Sequence, residues 1–178
     1  MRKIQNSELN RLSIEEFKQS DKNPIIVVLD NVRSMSNIGS VFRTCDAFRV
    51  EQLFLCGITA TPPHREIHRT ALGATESVNW KYFVSAREAV DFLRDQGYFI
   101  IAIEQTDQSV NLDKYLPGKK NKTALVFGNE IDGISDEVLG NCDFYLDIPQ
   151  YGTKHSINIS VSAGIVLWDI VTKMNKNK

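Results

Sequence analysis

Short apolar runs alternate along the chain with longer stretches in which apolar residues recur at helical spacing. The runs at residues 25–29, 98–103 and 123–127 have no polar alternation, which is typical of strands buried on both faces of a sheet. Residues 36–48 instead predict an amphipathic helix, because their apolar side chains fall on one stripe. That stripe consists of Ile38, Val41, Phe42, Cys45 and Phe48.

Start and stop signals place the other elements. Ser13 followed by Glu16 is a capping-box sequence, and Ser85 with Glu88 repeats it before a helix that Gly97 ends. The predicted order is helix 13–19, strand 25–29, helix 36–48, strand 52–56, a short helix ending at 72, strand 78–84, helix 85–96, strands 98–103 and 123–127, helix 135–139, strand 144–148 and helix 156–174. This alternation predicts an α/β fold with a mostly parallel sheet covered on both faces.

The last predicted helix, at residues 156–174, is apolar on two sides. One side carries Ile157, Val161, Ile165 and Trp168, and the other carries Ile159, Val166, Leu167 and Ile170. Such a helix either runs through the centre of the core or packs one side against a partner subunit. The pattern alone leaves both interpretations open.

Composition narrows the class of protein. Hydrophobic residues make up 42% and charged residues 24% of the 178 positions, which fits one ordinary globular domain. No apolar run reaches transmembrane length, and the first residues turn polar at Arg2 without the apolar core of a signal peptide. We therefore expect a soluble, cytoplasmic protein with no membrane partner. The three cysteines form no C-x-x-C pair, which argues against a zinc ribbon or a disulfide framework.

The charge distribution allows nucleic-acid binding without requiring it. The net charge is -1, whereas dedicated nucleic-acid binders are usually strongly basic. Either the basic clusters are solvated surface charge, or several of them share one face and contact phosphates. The clusters are Arg2, Lys3, Arg11, Lys18 and Lys22; Arg33, Arg43 and Arg49; His64, Arg65, His68 and Arg69; and Lys119, Lys120 and Lys122.

Three polar segments follow the predicted strands directly, at residues 30–43, 127–133 and 148–158. Ligands of open α/β sheets bind at the carboxyl ends of the strands, so these segments are the candidate site. Their sequences are Asn-x-Gly-x-x-x-Arg from Asn37, Gly-Asn-Glu-x-x-Gly-Ile-Ser from Gly128, and Ile-Pro-x-x-Gly-x-x-x-Ser-Ile-Asn-Ile-Ser from Ile148.

Each candidate residue taken singly has an ordinary structural explanation. Arg43 lies off the apolar stripe among small residues, which suits a substrate, a facing subunit or plain solvent. Asn37 or Ser156 could simply cap a helix. Gly128 lets a ligand approach the backbone, but it equally suits a tight loop. His64, His68 and His155 could act as bases or metal ligands, although no third metal ligand is evident and no metal is expected.

Together, in this order and at these strand ends, the three segments closely resemble the motifs of the SpoU/TrmH family, in the SPOUT class of RNA methyltransferases. The resemblance runs from about Pro24 to Val171. It implies a sheet with a C-terminal deep trefoil knot, an exception to the rule against knots. By the same resemblance, the knot would bind S-adenosylmethionine, and subunits would pair through it as a homodimer. That pairing would explain the two apolar sides of the last helix.

The resemblance also implies which residues do the chemistry. The catalytic site would contain Arg43, Asn37, Glu130, Ser156 and Asn158. The cofactor would be held by backbone around Gln105, Gly128, Asn129, Ile148 and Ile157. The domain boundaries that follow are a helical extension at residues 1–23, the methyltransferase domain at 24–174 and a polar tail at 175–178.

The expected reaction is methyl transfer from S-adenosylmethionine to a ribose 2′-hydroxyl of structured RNA. Only about 23 residues precede the first predicted strand, whereas many rRNA-acting relatives carry a further RNA-binding domain, so tRNA is favoured over rRNA. The alternatives are a relative that methylates another RNA position, and a non-catalytic RNA-binding protein that kept the fold. A nucleotide-dependent oxidoreductase is disfavoured, because neither G-x-G spacing nor G-x-x-x-x-G-K occurs.

Overall fold

The computed structural model describes residues 1–5, 8–118 and 122–176. Its strands are β1 (Asn23–Asp30), β2 (Val50–Cys56), β3 (Trp80–Phe83), β4 (Phe99–Ile103), β5 (Val110–Asn111), β6 (Thr123–Phe127) and β7 (Phe144–Asp147). Its helices are α1 (Ile14–Gln19), α2 (Met35–Ala47), α3 (Arg65–Ala71), α4 (Ala74–Ser77), α5 (Ala86–Asp95), α6 (Asp136–Leu139) and α7 (Ile159–Lys176), with a 3₁₀ turn at Leu112–Lys114.

The strands form one sheet in the order β3-β2-β1-β6-β4-β7-β5. Every strand pair in the sheet is parallel, which confirms the predicted parallel α/β fold. β6 lies between β1 and β4, and β7 lies between β4 and β5. The carboxyl ends of β1, β6, β4 and β7 are therefore neighbours along one edge, which brings the three polar segments together.

Helices cover both faces of the sheet, as predicted. Apolar side chains of α1, α2, α3, α4 and α7 share one buried cluster with alternate residues of the strands. Residues of α5 and α6 form a second cluster with the opposite set of strand residues. The uniformly buried β6 shows why these strands lack polar alternation, since both of its faces are covered.

The caps of the first two helices can be compared with the sequence signals. The capping box of α1 is present, with the Ser13 side chain accepting from Glu16 N and the Glu16 carboxylate accepting from Ser13 N. The helix cap of α2 is Ser34, so Asn37 is not a capping residue. Gly39 lets α2 approach α3 closely, because a Cβ there would lie 2.3 Å from the Ile67 carbonyl oxygen.

The start of α7 corrects the prediction that Ser156 begins it. The helix starts at Ile159 instead, because the Asn158 side-chain oxygen accepts a hydrogen bond from Ser160 N at 2.9 Å. It continues through Lys176, two residues beyond the predicted end. One apolar side is buried, as Ile159, Val166, Leu167 and Ile170 show. The other side is open, with Val161, Ile165 and Trp168 exposed.

Several shorter elements escaped the sequence patterns. α4, β5 and the 3₁₀ turn were not predicted, and β3 is shorter than the run at 78–84, because Val78 caps α4. No helix in the described part of the chain is long and apolar enough to cross a membrane. Lys119, Lys120, Asn177 and Lys178, which belong to the predicted basic cluster and polar tail, lie outside the described residues.

Candidate active site

A cavity of about 750 Å³ lies at the carboxyl ends of β4, β6 and β7. Its walls come from residues 103–106, 127–134 and 146–159, which are the segments that follow those strands. The five residues predicted to hold the cofactor all line it, namely Gln105, Gly128, Asn129, Ile148 and Ile157. Two of the predicted catalytic residues, Glu130 and Ser156, line it as well.

The second motif forms a closed turn at the edge of this cavity. Asn129 N donates to the Gly133 carbonyl at 3.1 Å, and Gly133 N donates back to the Asn129 carbonyl at 3.1 Å. The Asn129 side-chain oxygen accepts from Ile131 N and Asp132 N, both at 2.9 Å. Gly128 is required by the turn itself, because a Cβ there would lie 2.2 Å from Ile134 N. The turn holds Glu130 at its exposed tip.

Two carboxylates anchor the base of this turn, and sequence reasoning missed both. Asp30, buried at the end of β1, accepts from Ser135 N and from the Ser135 hydroxyl, each at 3.2 Å. Glu104, directly after β4, accepts from Ile134 N at 3.1 Å. Each is the first acidic residue after a buried apolar run, which is the signal that could have identified them.

Side chains from all three motifs meet at the mouth of the cavity. The Asn37 amide nitrogen donates to Glu130 Oε1 at 2.6 Å, and the Asn158 amide nitrogen donates to Asn37 Oδ1 at 3.2 Å. The network therefore joins the start of α2, the 128–133 turn and the start of α7. It leaves Glu130 Oε2 without a partner among the described residues, so that oxygen can accept a bond from a ligand.

The cavity lining is strongly acidic. Five carboxylates line it, those of Glu104, Glu130, Asp132, Asp136 and Asp147. The basic side chains of its lining are Lys154 and His155, both exposed in the loop before α7. Apolar side chains such as Ile103, Leu146 and Ile148 complete the wall. This combination of apolar surface and excess negative charge suits an organic cation.

Arg43 is the predicted catalytic residue that the structure brings neither to the network nor to the cavity. It is exposed on α2 and lines a different cleft, which lies between residues 9–17, α2 and residues 71–77. Arg43 follows Asn37 by six residues, which turns it about 240° around the helix axis. The two side chains consequently leave the helix in different directions.

Two of the three candidate histidines, His64 and His68, have structural roles, whereas His155 lines the cofactor cavity. The His64 ring accepts from Glu66 N at 3.2 Å as the cap of α3, and the His68 ring is hydrogen-bonded to the Thr75 hydroxyl at 3.3 Å. No group of three or more metal-ligating side chains occurs within the described residues. Burial raises the pKa of the Cys142 thiol to about 12, which keeps this thiol protonated and unreactive.

Comparison with known proteins identifies the family. A model described as the SpoU rRNA Methylase family matches residues 24–168. A tRNA (guanosine(18)-2′-O)-methyltransferase of Borreliella burgdorferi is 30% identical over 92% of this chain and 73% of that protein. A 23S rRNA (guanosine-2′-O-)-methyltransferase of Neisseria meningitidis is 30% identical over 89% of this chain, which spans 62% of that relative.

Solved structures agree with the sequence relatives. The TrmH/SpoU tRNA modifying enzyme of A. aeolicus superposes with a TM-score of 0.80 at 25% identity, covering 92% of this chain and 83% of that one. An AdoMet-bound rRNA methyltransferase from Sinorhizobium meliloti gives a TM-score of 0.77 at 25% identity, over 86% of this chain and 58% of that one. The chain therefore belongs to the SpoU/TrmH family, whose members are S-adenosylmethionine-dependent RNA 2′-O-ribose methyltransferases.

Proposed function

We propose that this protein transfers a methyl group from S-adenosylmethionine to a ribose 2′-hydroxyl of structured RNA, with tRNA favoured over rRNA. The observation that carries the proposal is the Asn158–Asn37–Glu130 network, which joins all three motifs at the mouth of the acidic cavity. The preference for tRNA is supported by the tRNA-modifying relatives of Borreliella burgdorferi and A. aeolicus. The 23S rRNA relative is equally identical, so rRNA is the second candidate substrate.

The cavity suits the proposed cofactor in charge. S-adenosylmethionine carries a sulfonium and an ammonium group, and the excess of carboxylates around the cavity favours such a cation. Backbone of Gln105, Gly128, Asn129, Ile148 and Ile157 would hold it. When bound, the cofactor supplies an electrophilic methyl group, so the protein has to position the ribose oxygen and assist removal of its proton.

The catalytic roles follow from what each side chain can do. Glu130 and Asn158 would orient the ribose through the network, and Ser156 adds a hydroxyl on the cavity wall. Arg43 lines a different cleft from the cavity of its own chain, so it would act from a second copy of the chain, where it would hold the phosphate next to the target nucleotide and polarise the 2′-hydroxyl. A guanidinium stays protonated in proteins, so it serves as a donor and not as a base.

We propose also that the protein is a homodimer. The exposed side of α7 presents Val161, Ile165 and Trp168, which are 50%, 36% and 60% accessible. Contiguous exposed apolar side chains of this size are typical of protein interfaces. Ile157, predicted to share that interface, instead lines the cofactor cavity. A second copy packed on α7 would therefore lie next to the cavity.

A trefoil knot in the region of residues 123–176 is part of the same proposal. Its support is the insertion of β7 between β4 and β5, although both of those strands come earlier in the chain. After β7 the chain runs back to α7, which reaches the 3₁₀ turn, where the Lys173 ammonium donates to the Leu112 carbonyl at 2.7 Å.

The test combines ligand binding with RNA mapping. We expect calorimetry to detect S-adenosylmethionine binding without RNA, and no binding of NAD. Mass-spectrometric mapping of 2′-O-methyl nucleotides, in tRNA and rRNA from cells with and without the protein, should reveal one site that depends on it. Cofactor binding without any lost methylation would support the alternative, a non-catalytic RNA-binding protein. Methylation lost from rRNA alone would reverse the preference for tRNA.

A further inference from the structure

The acidic lining of the cofactor cavity limits how RNA can be held there. Five acidic residues line the cavity, against one lysine and one histidine. Phosphate groups are repelled by such a surface, and the net charge of the chain, -1, provides no general attraction. Because contacts to phosphate supply most of the affinity for a nucleic acid, the cations that hold the RNA backbone must lie together elsewhere.

A second cleft, of about 670 Å³, has the required charge. We call it the arginine cleft. It is lined by Arg11 from the N-terminal segment, Arg43 from α2, and Arg49 from the turn after α2. All three side chains are exposed. Asp46 is the one acidic residue in its lining among the described residues, and its carboxylate already accepts a bond from the Ser77 hydroxyl.

Five arginines have no hydrogen bond or ion pair among the described residues, and three of them line the arginine cleft; the other two are Arg33 and Arg65. Arg69 is paired with Glu66 at 2.8 Å, and Arg87 is paired with Asp91 at 2.8 Å. Within residues 1–5, 8–118 and 122–176, the guanidinium groups of Arg11, Arg43 and Arg49 have no hydrogen bond or ion pair. Their donors are therefore available to a ligand, and a planar guanidinium matches the oxygens of a phosphate.

The backbone at Arg49 is an independent indication. Arg49 follows the helix cap Phe48 with φ of 47°, in the left-handed region where a helix usually ends with glycine. A side chain is disfavoured in that conformation, and such residues tend to occur at functional sites. Burial, and after it the charge of Arg49, lower the pKa of neighbouring Lys22, although Asp21 and Asp46 act against this. Arg49 therefore lies close to a second cation, Lys22.

We propose that the arginine cleft binds the phosphodiester backbone of the RNA substrate, outside the cofactor cavity. The proposal rests on the proposed function only in naming RNA as the ligand. Arg43 connects the arginine cleft with the proposed reaction, because it lines the cleft and is also the residue proposed to act on the ribose. Arg11 and Arg49 then hold RNA without touching the reacting atoms.

The test measures tRNA affinity as a function of salt for Arg11→Gln, Arg49→Gly and the double variant. Each lost phosphate contact should lower affinity at 50 mM salt about threefold and reduce the slope of log K against log salt by about 0.7 to 1, so that the deficit largely disappears at 200 mM salt. The double variant should lose about tenfold. Arg69→Gln is the matched control, since its arginine is exposed on α3 but paired. S-adenosylmethionine affinity should be unchanged in all variants.

Arg49→Gly separates binding from folding. Glycine suits the left-handed backbone at this position. The melting temperature of the Arg49→Gly variant should therefore equal or exceed that of the wild type, while its RNA affinity falls. Wild-type affinity and salt slope in the double variant would overturn the arginine cleft, as would an equal loss in Arg69→Gln. If the wild type binds tRNA through the cleft but methylates no RNA, the proposed function fails and the cleft stands. If the wild type binds no RNA at all, the proposal that the arginine cleft binds RNA fails as well.

Discussion

The two cavities of this protein are built in opposite ways. Around the cofactor cavity, side chains are bonded to one another, as in the Asn158–Asn37–Glu130 network and the anchoring of the 128–135 segment by Asp30 and Glu104. In the arginine cleft, Arg11, Arg43 and Arg49 project without partners among the described residues. The first region is organised before any ligand arrives, which favours precise positioning. The second keeps its donors free, which favours attraction of a large, flexible polyanion.

The substitution with the largest expected effect is Arg43→Ala, in the arginine cleft. Because Arg43 has no bonds within the described chain, its removal should leave fold and S-adenosylmethionine affinity intact. Single-turnover methylation of total tRNA should fall by roughly 100-fold or more, as when a donor at a developing charge is removed. Arg43→Lys should rescue poorly, since an ammonium cannot bond two groups as a planar fork does. Near-normal rates in the alanine variant would reduce Arg43 to a surface charge.

Trp168 on α7 is another exposed group, with 60% of its surface accessible. We expect the wild type to sediment as a dimer at micromolar concentration. Trp168→Glu should raise the dimer dissociation constant by roughly 30-fold, which is about 2 kcal/mol. Val84→Glu is the control, because Val84 is 75% accessible but far from α7 in the chain. A monomeric wild type would contradict the proposed interface directly.

A substitution at Gly128 tests the opposite property, the close packing of the turn beside the cofactor cavity. A Cβ at this position would lie 2.0 Å from the Gly133 carbonyl carbon, so Gly128→Ala has to deform the turn. We expect S-adenosylmethionine affinity to fall by about tenfold and unfolding free energy by about 1 to 3 kcal/mol. Gly152→Ala, in the loop before α7 with open space around it, should change neither quantity. Calorimetry that gives Gly128→Ala full affinity would show that the turn is not part of the pocket.

The smallest expected effect is that of Ser135→Ala. This change removes the hydroxyl bond to Asp30 and keeps the backbone bond, so the 128–135 segment stays anchored. Chemical denaturation should show a loss of about 1 kcal/mol, typical of one hydrogen bond. Thr153 is an exposed loop residue, so Thr153→Ala should leave the free energy of unfolding unchanged. Equal stability of the two variants would mean that the Asp30 anchor contributes nothing.

The sequence was sufficient to predict the parallel sheet and the meeting of the three motifs, because buried strands lack polar alternation and parallel strands end at one edge. It was insufficient for Arg43, whose direction depends on the rotation of α2 against the sheet. The roles of Asp30 and Glu104 were also out of reach, since their backbone partners lie 105 and 30 residues further along the chain. The exchange of Ser156 for Asn158 as the cap of α7 depended on the path of the preceding loop.

The anchoring of the 128–135 segment has a consequence for how the chain folds. Its base joins the end of β1 to a segment more than a hundred residues later, and β1 itself pairs with β6, where Ile25 lies opposite Thr123. Contacts of such long sequence separation form slowly, because loop closure has to precede them. We therefore expect the cofactor cavity to form late in folding, after β1 and β6 have paired. A cofactor that binds only the finished cavity then stabilises the native state by mass action, and its concentration influences how much of the chain is folded.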